Sequence, residues 1–139
     1  MMDQTRLTAW ALTLAGLAPF LAGAALIVFN PGEGADWLEP LAAYGAIILS
    51  FLAGTRWGKG LAERDPRPAT LILSNLPPVA AWLTFLPGVP DRLQLIVLMA
   101  GLLAMLYWDV RGSRSWYVPL RWVATLGAIL SLGCVVLLL

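Results

Sequence analysis

LTAWALTLAGLAPFLAGAALIVF, residues 7–29, runs for 23 positions without a charged side chain. At about 1.5 Å of rise per residue, a helix of that length reaches about 35 Å. The hydrocarbon core of a bilayer is roughly 30 Å thick. Inside lipid every peptide N–H and C=O needs a partner within its own segment. The stretch therefore reads as a transmembrane helix. Arg6 ahead of it and Ala22-Gly23-Ala24 within it resemble a signal peptide with a small-residue cleavage site. The run is longer than an ordinary signal core, and we read it as a span.

Four more apolar stretches follow, at about 37–55, 69–86, 93–108 and 122–139. Glu39 falls at the outer rim of the second, and the fourth needs its flanks to cross. A chain this short cannot close a spanning barrel. The expected fold is all-α: one domain over residues 1–139, a compact bundle of five transmembrane helices. No internal repeat is evident, and an odd span count argues against a simple inverted repeat.

Composition agrees. The chain is 60% hydrophobic and 12% charged, with a mean hydropathy of +0.79. Soluble domains carry about 25% charged residues. The net charge of +1 and the lack of a basic block give no reason to expect a nucleic-acid partner. There is no histidine, and Cys134 is the only cysteine. No disulfide, metal site or cofactor is expected from such an inventory.

The cations orient the bundle. Arg6, Arg56, Lys59, Arg64, Arg67, Arg111, Arg114 and Arg121 fall on one side if the spans alternate, and only Arg92 on the other. The second side also carries Glu33, Asp36 and Glu39. The positive-inside rule then predicts the N-terminus inside and the C-terminus outside. The expected location is a bacterial inner (cytoplasmic) membrane, or the mitochondrial inner membrane in a eukaryote. Trp37, Trp57, Trp108, Trp116, Tyr117 and Trp122 lie at span ends, where interfacial aromatics belong.

Three features carry polar or packing chemistry. Ala42, Ala46, Ser50, Gly54 and Gly58 recur every four residues along the second span. Such a stripe lets another backbone approach, either within the chain or from a partner. Ala124, Gly127, Ala128 and Ser131 form a weaker version in the fifth. The third span holds Ser74-Asn75-Leu76-Pro77-Pro78. Consecutive prolines remove two helical N–H donors, so the carbonyls of Leu73 and Ser74 lose their partners. A broken helix with Ser50, Ser74 and Asn75 nearby reads either as a kink or as a polar mid-membrane site. Thr13, Ser50 and Asn75 fall at similar depths and are expected to share a layer.

The third feature is at the inner interface. Arg56-Trp57 closes the second span, Trp108-Asp109 the fourth, and Trp116-Tyr117 with Arg121 opens the fifth. Asp109 is the natural counter-ion for Arg56 or Arg121. The group reads as a clasp of helix ends, or as a site for an anionic headgroup or solute.

These residues carry a resemblance. Gly16-Leu17-Ala18-Pro19-Phe20, Tyr44-Gly45-Ala46, Ser50-Phe51, Gly54, Trp57-Gly58, Ser74-Asn75-Leu76-Pro77, Trp82, Asp109, Trp116-Tyr117 and Leu120-Arg121 span nearly the whole chain. In order and spacing they resemble the domain of unknown function 3429 family, the transmembrane protein 69-like small polytopic membrane proteins. The resemblance implies a multi-span membrane protein and brings no activity, cofactor or catalytic residue.

Catalytic equipment is sparse: no histidine, no paired intramembrane carboxylates and no glycine-rich phosphate loop. The first expectation is a non-enzymatic accessory or assembly subunit of a larger membrane complex, or a homo-oligomer. The alternatives are a small-solute carrier or channel at the third span, and anionic-lipid binding at the inner interface.

Overall fold

The computed structural model describes residues 3–30 and 32–139. Five helices follow in order: α1 (Gln4–Phe29), α2 (Leu38–Leu61), α3 (Pro68–Leu83), α4 (Asp91–Val110) and α5 (Tyr117–Leu138). A 3-10 turn, Gly34–Trp37, leads into α2. No strand occurs among the described residues.

Four of the helices, α1, α2 with its leading turn, α4 and α5, are long and apolar enough to cross a membrane. The third is not. It has 16 residues, just under the roughly 17–25 that a crossing needs. Its expected end at 86 moves back to Leu83 for a local reason. Thr84 Oγ1 donates to the Ala81 carbonyl at 2.6 Å, and Gln94 Nε2 from α4 donates to the Thr84 carbonyl at 3.2 Å. Pro87 follows and disfavours helix at the residue before it. The other helices outrun their apolar stretches. α2 continues past 55 to Leu61, and α5 starts at Tyr117 rather than 122. Arg and Lys are good helix formers, so the helix does not stop where hydrophobicity does.

The long helices pack as a ring, α1 on α5, α5 on α4, α4 on α2 and α2 on α1. α3 lies against α2 and touches α4. Leu49, Leu95, Leu98, Leu102 and Leu132 are fully buried in the middle. Two glycines set the closest approaches. A Cβ at Gly101 would lie 2.5 Å from Leu49 Cδ2, and one at Gly127 would lie 2.8 Å from Leu17 Cδ2. So the α2–α4 and α1–α5 seams are built on small residues.

The stripe on α2 is used in part. Ala42 is buried, while Ala46 and Ser50 are half-buried beside α3. Gly54 and Gly58 are exposed, with nothing within 4 Å of a Cβ placed there. The weaker set on α5 packs more completely: Ala128 and Ser131 are buried and Gly127 abuts Leu17.

The break expected in the third span does not occur. α3 is helical through Pro77 and Pro78. Proline's φ suits a helix, and what it removes is one amide and some space. Ser74 Oγ and Asn75 Nδ2 donate to the Leu71 carbonyl at 2.9 and 2.8 Å, nearly two turns ahead of the prolines.

Side-chain contacts show which helix ends lie together. Lys59, near the end of α2, reaches the carbonyl of Gly112 beyond α4, and Arg6 of α1 lies over Trp116 at the start of α5. Gly60 abuts Thr70 and Leu71 of α3. At the opposite end Thr84 meets Gln94. The segments carrying eight of the nine cations therefore gather at one end of the bundle. Elsewhere the outer surface is oily: Leu12, Phe51, Ile72 and Leu130 are each more than 60% exposed.

Candidate functional site

Asp109 stands in the last turn of α4. An acid is disfavoured there, because the helix C-terminus already carries partial negative charge. Two arginines offset this. Arg56 Nε donates to Asp109 Oδ1 at 2.6 Å, and Arg121 Nε donates to Asp109 Oδ2 at 2.8 Å. Arg56 Nη2 also donates to the Trp108 carbonyl at 2.6 Å, one of the carbonyls at that helix end. Its guanidinium lies 5.2 Å from the Trp108 ring centroid. Ser113 Oγ donates to the Asp109 carbonyl. Three helices are thus joined at one carboxylate. The side chains are 11% (Arg56), 6% (Asp109) and 4% (Arg121) exposed, so water screens the node poorly and its geometry is held firmly.

The charges do not balance. Two guanidinium groups face one carboxylate. Arg121 is also near the N-terminal end of α5, where partial positive charge makes a cation unfavourable. Arg121 Nη2 is buried without a hydrogen-bond partner, and so is Thr125 Oγ1 one turn further on. Buried polar atoms are nearly always paired, so two orphans in adjacent turns mark this place.

Both residues line a cavity of about 440 Å³ between α1, α2 and α5, with Leu102 of α4 behind it. Thr13, Thr55 and Tyr117 add polar atoms to a wall that is otherwise apolar. Leu12 and Phe51, 68% and 67% exposed, form part of that wall. The cavity therefore reaches the outer face of the bundle at the α1–α2 seam.

The other positions singled out from the sequence are dispersed. Trp57 is exposed, away from the node. Tyr117 lines the cavity beside Arg121. Ser50 and Pro78 share a shallow groove between α2 and α3. Ser74 is buried against α3's own backbone, whereas Asn75 is exposed. Thr13, Ser50 and Asn75 consequently form no common layer, because equal depth does not give equal direction around a helix axis. Missed from the sequence were the Trp108 carbonyl, Thr125, and Tyr44, whose hydroxyl donates to the Gly16 carbonyl at 2.8 Å. The i, i+4 spacing of Arg121 and Thr125 was available as a signal for one of them.

Comparison with known proteins gives a consistent answer. The family described as "Protein of unknown function (DUF3429)" matches residues 5–137. Transmembrane protein 69 of Xenopus tropicalis is 34% identical over 129 residues, covering 87% of this chain and 50% of the relative. Transmembrane protein 69 of Mus musculus is 32% identical over 126 residues, covering 86% of this chain and 51% of the relative. The chain thus spans about half the length of these curated relatives. No solved structure matches it significantly.

Proposed function

Since this chain belongs to the DUF3429 family, we propose that it is a non-enzymatic multi-pass membrane protein that binds an anionic membrane component at the Arg56–Asp109–Arg121 node. In this reading all five helices lie in the bilayer, with α3 as the short one. The cation-rich end faces inside, as does the N-terminus, in a bacterial cytoplasmic or mitochondrial inner membrane. One observation carries the binding role: a buried node holds two guanidinium groups for one carboxylate and leaves Arg121 Nη2 unpaired. An anion at that place would complete both the charge and the hydrogen bonding. Purification in mild detergent, followed by lipid extraction, tests it. Wild type is expected to retain anionic lipid and Arg121→Ala to lose it. Wild type free of anionic lipid would retire the proposal.

A second reading is an accessory or self-associating subunit. Its support is the open end of the α2 stripe, where Gly54 and Gly58 flank an exposed Trp57. A Gly58→Cys variant in a Cys134→Ser background would cross-link to a neighbour in native membranes. A cross-linker of suitable reach that yields only monomer counts against it. The carrier reading has less support, because Ser74 and Asn75 point their bonds back into α3 rather than into a shared space.

A further inference from the structure

Resting on the anion-binding reading above, we propose that the cavity beside Arg121 receives a single acyl chain ending in an anionic head. The chain enters from the hydrocarbon between α1 and α2, and its head lies toward the cationic end of the bundle. This chemistry has two sources, a free long-chain carboxylate or one leg of an anionic phospholipid.

Shape is the first argument. The lining runs from Ala9 to Phe20 on α1 and from Tyr117 to Ala128 on α5. Eleven residue steps along a helix are about 16 Å. The space is an open-sided slot parallel to the helices, long and wide enough for one hydrocarbon chain.

Polarity is the second. Tyr117 and Arg121 lie toward the cationic end of the slot, while Phe20 and Ala128 close its deeper part. Arg121 is 3% exposed, and its Nη2 and Thr125 Oγ1 lack partners. A carboxylate or phosphate brings acceptors for the guanidinium and for the threonine hydroxyl. A wholly apolar guest would leave both groups unpaired. Arg6 adds a further cation at this end of the bundle. Its guanidinium sits 5.5 Å from the ring centroid of Trp116, next to Tyr117.

Access is the third. The exposed pair Leu12 and Phe51 forms the lip at the α1–α2 seam. A guest passing this lip lies against mostly apolar side chains until its head meets Arg121.

Native mass spectrometry of the full chain in neutral detergent tests the proposal, with oleate, methyl oleate and dioleoylphosphatidylglycerol as probes. Wild type is expected to take up one oleate or one phosphatidylglycerol, with methyl oleate at least tenfold weaker. Ala124→Phe fills the slot just beyond Arg121 and is expected to abolish uptake. Arg121→Gln is expected to weaken it tenfold or more. Thr13→Met narrows the slot from the α1 side and serves if Ala124→Phe fails to fold. Oleate bound alone identifies the free acid as the guest. Phosphatidylglycerol bound and displaced by the slot-filling variants identifies the lipid leg. If phosphatidylglycerol binding needs Arg121 yet ignores both slot-filling variants, the slot proposal falls and anion binding at the node stands. Equal uptake of oleate and its methyl ester overturns the anion reading itself.

Discussion

Replacing Asp109 with asparagine keeps the shape of the node and removes its negative charge. The variant leaves Arg56 and Arg121, both largely buried, facing each other without a counter-ion. Removing one member of a buried ion pair costs about 3–5 kcal/mol, because the remaining charge stays desolvated. Here one carboxylate serves two arginines, so Asp109→Asn belongs at the upper end of that range. Arg56→Gln is milder. Asp109 keeps its 2.8 Å bond to Arg121, and the loss is that of charge-assisted hydrogen bonds, about 1.5–3 kcal/mol. The informative variant is the double one. If excess positive charge is what destabilises Asp109→Asn, then adding Arg56→Gln removes half of the problem. The double variant should be no less stable than Asp109→Asn and up to about 2 kcal/mol more stable, so the Arg56→Gln loss of about 1.5–3 kcal/mol vanishes in that background and the two changes couple by at least that amount. SDS-induced unfolding in mixed micelles, followed by tryptophan fluorescence, measures all three. Strict additivity of the two single losses would refute the shared-carboxylate argument. Single losses below about 0.5 kcal/mol, the range of ordinary surface changes, would mean that the node does not form.

Other outcomes follow from particular contacts. Gly127→Val should cost about 1–3 kcal/mol by overpacking against Leu17, whereas Gly54→Val meets open space and should change unfolding of the isolated protein by less than about 0.5 kcal/mol. Tyr44→Phe should lose the 2.8 Å bond to Gly16, about 0.5–1.5 kcal/mol in the same assay. In a Cys134→Ser background, Glu33→Cys and Asp65→Cys should react with an impermeant maleimide from opposite faces of sealed vesicles. Labelling from one face would break the alternating topology.

Much of the fold was legible because lipid imposes a simple rule. A run of uncharged residues as long as 7–29 has few structural options, and five such runs became five helices. Helix ends were less legible, since helix propensity continues past the apolar stretch at Lys59 and begins before it at Tyr117. The α3 prolines misled for a related reason. They forbid hydrogen bonds, but do not forbid helical φ, and α3 stays helical through both. At the site, Asp109 was identifiable as the lone acid near a span end on the cationic side, and Arg56 and Arg121 as its nearest candidates. Direction around each helix axis was not identifiable. Hydrocarbon outside and core inside are equally apolar, so no hydrophobic face announces itself. That is why Thr13, Ser50 and Asn75 were grouped by depth although they point to three different places.

With α3 placed in the bilayer as proposed above, its shortness has a consequence for the surrounding lipid. Its 16 residues rise about 24 Å, against roughly 30 Å of hydrocarbon. Acyl tails bordering that flank must compress or splay to keep its polar ends wet, at a fraction of a kcal/mol for each ångström of mismatch. The annulus of lipid is then lopsided, thinner beside α3 than beside α1. A lopsided annulus gives the molecule a preferred neighbour, since two thin flanks placed together deform less bilayer than two kept apart.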